Sequence, residues 1–77
     1  MDTEQVLKHL WDVWVQRVAV AERIIPARVW RPLADQAARA YQRADILLLA
    51  EQIKILKYMI AAVQAAQAAQ TVKEGNA

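Results

Sequence analysis

Apolar side chains recur along the first third of the chain in an alternation of four and three. Leu7, Trp11, Trp14, Val18, Ala21 and Ile25 follow one another at spacings of 4, 3, 4, 3 and 4 residues. Such spacing keeps side chains on one face of an α-helix and predicts a helix over about residues 3 to 25. Val6, Leu10, Val13, Val20 and Ile24 widen the apolar stripe, while His9, Asp12, Gln16 and Arg23 fall on the opposite side. Asp2 is placed to cap the helix N-terminus, with Gln5 three residues on in a capping-box arrangement.

Pro26 biases Ile25 out of the helical region and closes this element. Pro32 suits the first turn of a new helix, where its missing N–H has no helical partner in any case. Residues 26 to 31 therefore read as an elbow. From Leu33 to Val72 there is neither Pro nor Gly, and Ala stands at 12 positions. Propensity thus predicts one second helix over about residues 33 to 72, about 60 Å long, with Gly75 as a stop and a short C-terminal tail. Its cleanest repeat is Ile46, Leu49, Ile53, Leu56, Ile60 and Val63. Leu48, Ile55, Met59, Ala62, Ala66 and Ala69 form a second line beside it, too much apolar surface for one partner helix.

Folded back antiparallel, a first helix of about 23 residues covers only about residues 33 to 55 of the second. Residues 56 to 72 then overhang, with Leu56, Met59, Ile60 and Val63 in water. At about 1.5 to 3 kcal/mol per large apolar side chain, that exposure rivals the whole stability of a small domain. The expectation is an all-α protein: a two-helix antiparallel hairpin with a long second helix, a single domain over residues 1 to 77, assembling as an oligomeric helical bundle. Ile46, Leu49, Ile53, Leu56, Met59, Ile60 and Val63 are the expected oligomer interface. A two-fold dimer, a ring and a filament all satisfy the same surfaces.

Composition narrows the chemistry. With 77 residues, no Cys, no Ser and a single His, the chain has no Ser or Cys nucleophile and no Cys/His metal cage. His9, alone on the polar face, gets no role. No catalytic residue, metal ligand or cofactor is expected, and the chain does not read as an enzyme. The longest uninterrupted apolar run is Tyr58 to Val63, and the chain starts Met-Asp-Thr-Glu, so neither a membrane span nor a signal peptide is expected. The reading is cytoplasmic, in a bacterium or in the host of a virus.

The net charge of +2 is small, but all six Arg lie between residues 17 and 43. Solvated surface, an acidic protein partner and nucleic acid are the three readings of that cluster, in that order, because no helix-turn-helix or zinc-finger spacing is present. Arg28, Trp30 and Arg31, in the elbow, are the candidate partner-binding residues, since Trp and Arg are enriched in binding hot spots. Trp11 and Trp14 sit on the seam and read as core. The function these features imply is a small protein-binding module, an adaptor, assembly chaperone or inhibitor, that associates with itself and with another protein. A structural subunit of a ring or filament is the alternative. A nucleic-acid regulator using the Arg-rich elbow is the second.

Overall fold

The computed structural model describes the backbone of residues 2–75 and the side chains as far as residue 70. The described chain holds three α-helices and no strand: α1 (Thr3–Ile24), α2 (Ala27–Gln42) and α3 (Ile46–Gly75). The expected hairpin of two helices is therefore corrected to three. The first expected element survives intact, and the long second one is split.

At the start of α1, Asp2 is the N-cap, its carboxylate accepting the Glu4 N–H at 3.3 Å. At its end, Ile25 is extended (φ −128°, ψ 131°) ahead of Pro26, as the steric clash before proline requires. The six-residue elbow does not exist. Pro26 itself serves as the N-cap of α2, its carbonyl accepting the Val29 N–H at 2.9 Å, and residues 27 to 31 are already helical. Pro32 then lies inside the helix, where it withholds the N–H that Arg28 C=O would accept. Arg28 and Pro32 are both exposed, so this gap in the ladder faces water.

The second correction falls at residues 43 to 45, where the expected continuous helix breaks with no Gly or Pro. Ala44 adopts φ 57°, in the left-handed region. Its N–H donates to Tyr41 C=O at 3.2 Å, and Asp45 N–H donates to Ala40 C=O at 2.8 Å. That pair of bonds is a Schellman stop. Asp45 at once starts α3, its carboxylate accepting the Leu48 N–H at 3.1 Å and its carbonyl the Leu49 N–H at 3.0 Å. One residue thus ends the first helix and caps the next. Beyond residue 72, helix continues through Gly75, and the rest of the expected C-terminal tail lies outside the described residues.

α3 is the central element, and α1 and α2 each pack along it while touching one another little. The tight turn at 43 to 45 sets α2 antiparallel to α3. α1 runs parallel to α3: Trp11 meets Tyr41 near the start of α3, with ring centroids 4.9 Å apart, whereas Val13, Arg17 and Val20 share a groove with Ile60 and Gln64 further along. Of the seams read from the spacing, Leu7, Trp14 and Ala21 of α1, its C-cap Ile25, and Leu49, Ile53, Leu56 and Ile60 of α3 are buried, while Trp11, Val18, Ile46 and Val63 are half-buried. α2 adds Ala37 and Ala40, both fully buried, whose small side chains let its backbone approach α3 closely. The result is a long, flat molecule of 54 × 26 × 16 Å.

Candidate interaction surfaces

The residues assigned to an oligomer interface form the inner face of α3. Leu49, Ile53, Leu56 and Ile60 are buried by α1 and α2 of the same chain, and Ile46, Met59 and Val63 are half-buried against the same core. The exposure that motivated their assignment came from placing one helix, not two, on α3. With α1 parallel to α3 and ending near Gln64, the overhang begins some eight residues later than expected, and residues 64 to 70 are all exposed. Gln52 was missed. It is 6% exposed between Leu49 and Leu56, three residues after one and four before the other, a spacing that alone could have placed it on the buried face.

The outer face of α3 was also missed. Leu47 is 83% exposed and Tyr58 is 62% exposed, and Glu51 and Lys54 are exposed between them. At 100° per residue these four positions form one stripe on the side of α3 opposite Leu49, Leu56 and Ile60. Leu47 sits in a run of three leucines but lies about 200° around the helix from Leu49, so the seam through Leu49 by itself turns Leu47 outward.

Of the candidate partner-binding residues, Arg28 and Arg31 are exposed and Trp30 is half-buried, its Nε1 enclosed without a hydrogen-bond partner. All three belong to the first two turns of α2 rather than to a loop. The six Arg do not form one patch: Arg23, Arg28 and Arg31 flank the α1–α2 junction, whereas Arg39 and Arg43 flank the other end of α2. Asp35 and Arg39, four residues apart on α2, form no ion pair, nor do any other side chains among the described residues.

Two shallow grooves flank α1. One, of about 220 Å³, is lined by α1 alone, including Trp11, Val15, Val18 and Glu22. The other, of about 320 Å³, lies between α1 and α3 and holds Arg17, whose Nε is buried without a partner beside Val13, Val20 and Ile60. Among the described residues no three His, Cys, Asp or Glu side chains gather as metal ligands, and no helix is long and apolar enough to cross a membrane. The described surface consists of helix faces and shallow grooves. Comparison with protein-family models, with curated proteins and with solved structures finds no match to this chain.

Proposed function

We propose that this chain is a small non-enzymatic protein-binding module that acts as a self-associating helical bundle, an adaptor, assembly chaperone or inhibitor of another protein. The observation that carries this reading is surface. The chain has 5724 Å² of accessible area, against about 4,700 Å² for a compact monomer of its mass. Its radius of gyration is 15.1 Å, against about 11 Å for a compact chain of this length. The excess of about 1,000 Å² is what one partner contributes to a standard protein interface, about 800 Å². Exposed Leu47, Tyr58, Val15 and Val20 make part of that excess apolar.

Sedimentation across a concentration series, from low micromolar upward, tests self-association; a compact monomer throughout refutes it. Binding of another protein is tested by capture from the native host, comparing the wild type with a chain carrying Arg28→Glu and Arg31→Glu. Loss of a specific partner with helicity unchanged supports the assignment of Arg28, Trp30 and Arg31. Unchanged capture makes the two Arg ordinary solvated surface. A ring or filament subunit stays as a second reading because the exposed overhang of α3 and its exposed Leu47 lie at opposite ends of one helix, which suits head-to-tail contact. Division of the Arg between the two ends of α2 weakens the nucleic-acid reading, which steep salt-dependent retention on heparin would revive.

A further inference from the structure

We infer that a second copy of this chain docks on the outer face of α3, helix against helix and antiparallel, about a two-fold axis that passes between Glu51 and Lys54. The inference deepens the self-association proposed above by naming the face and the register. It rests on that reading.

The four outward residues are arranged symmetrically in chemistry as well as in position. Leu47 and Tyr58 stand at the two ends of the stripe, and Glu51 and Lys54 stand at its centre. In an antiparallel pair related by a two-fold axis, each residue before the axis meets the residue equally far beyond it on the partner. An axis midway between residues 52 and 53 pairs Leu47 with Tyr58 of the partner subunit and Glu51 with Lys54 of the partner subunit. Both pairs occur twice. Every one of these pairings matches apolar with apolar or negative with positive.

A parallel pairing in register does the reverse. It sets Glu51 against Glu51 and Lys54 against Lys54, so like charges meet at the centre and cost affinity. The choice between the two arrangements is thus made by charge, and apolar contact at the ends supplies attraction in either. Leu47, the most exposed of the large hydrophobic residues, gains a partner ring. Among the described residues neither Glu51 nor Lys54 has an ion-pair partner, so both are available across the interface.

This face is also geometrically free. The core side of α3 is occupied by α1 and α2, which leaves the opposite side bare along a molecule only 16 Å thick. Contact there adds a second layer and covers the surface that a flat chain leaves in water. Exposed Ala61 and Ala65 continue the stripe beyond Tyr58, and their small side chains leave the approach of the partner unobstructed.

Charge exchange tests the register directly, using the full chain. Sedimentation equilibrium is run on the wild type, on E51K, on K54E, on an equimolar mixture of the two variants, and on the double exchange E51K/K54E. The wild type is expected to dimerise. E51K alone gathers four Lys at the axis and K54E alone four Glu, so each is expected to dimerise at least about tenfold more weakly. Mixing the two restores both opposite-charge pairs and is expected to recover the dimer, as is the double exchange. Circular dichroism checks that each exposed substitution leaves helicity unchanged.

If the wild type assembles but neither single variant weakens it, this face and register are wrong while self-association stands. They are equally wrong if the mixture fails to rescue two weakened variants. If the wild type is monomeric up to millimolar concentration, the self-association reading and this inference both fall. An assembly larger than a dimer that is indifferent to the exchanges favours the head-to-tail subunit and overturns the two-fold pairing.

Discussion

Ala44 holds φ at 57°, where an L-residue with a Cβ pays about 1 to 2 kcal/mol that glycine does not. The Schellman bonds through Ala44 and Asp45 keep it there. Ala44→Gly is therefore expected to stabilise the chain by about 0.5 to 1 kcal/mol, after allowing for the greater freedom of glycine in the unfolded state. A rise of several degrees in Tm measures it; a fall shows that the left-handed turn is absent in solution. Asp45 works on the other side of the same turn. Asp45→Ala removes the carboxylate that accepts the Leu48 N–H and is expected to cost about 1 kcal/mol, read by urea denaturation. An unchanged midpoint would mean that α2 and α3 run on as one helix.

At the scale of elements, the two ends of α3 differ in what they bury. Ile53 and Ile60 are 8% and 7% exposed against α1 and α2, whereas residues 64 to 70 are exposed throughout. Cutting a buried Ile to Ala costs about 2 to 5 kcal/mol, and a small domain has little more than that for two such changes together. The double change Ile53→Ala with Ile60→Ala is expected to unfold the chain, lost helicity being the readout. Truncation after Gln64 removes exposed Ala and Gln and is expected to shift Tm by a few degrees at most. Should the truncation unfold the protein and the double variant keep its Tm, the core assignment of α3 would be overturned.

For the whole molecule, association and folding are expected to separate, because the surfaces differ. Leu47→Ala with Tyr58→Ala touches no buried residue, and it is expected to leave the stability of the monomer within about 1 kcal/mol of wild type. Dimerisation is expected to weaken by about tenfold or more, since apolar contact at both ends of the stripe is lost. Raising salt to 1 M, where the Debye length falls to about 3 Å, screens the Glu51 and Lys54 pairs but not the Leu47 and Tyr58 contacts. It is therefore expected to weaken association less than the double alanine change does. Sedimentation under the two conditions compares them, and a dimer abolished by salt alone would assign the attraction to charge.

What the sequence determined by itself is the helical class, the extent of α1 and the inward faces of α1 and α3. Spacings of three and four residues around Trp14 and Leu56 are a local signal, carried by the 3.6-residue turn whatever the helices pack against. Pro26 likewise acts on its immediate neighbour and needs no tertiary context. The stop at Ala44 was hidden because it uses a residue with high helix propensity in a left-handed conformation. Asp45 as a cap was the one local hint. The start of α2 at Ala27, five residues ahead of the Pro32 first turn that the sequence suggests, was hidden for the converse reason: packing of Ala37 and Ala40 on α3 outweighs one absent hydrogen bond on a solvent-facing turn. Only the tertiary structure decided that two helices cover α3, and that decision reassigns its surfaces. Leu49, Ile53, Leu56 and Ile60 turn from a contact between chains into the core of one chain, and Leu47 and Tyr58 become the exposed face. The physical reason is that periodicity reports which residues share a face of a helix, whereas what covers that face depends on where the chain turns.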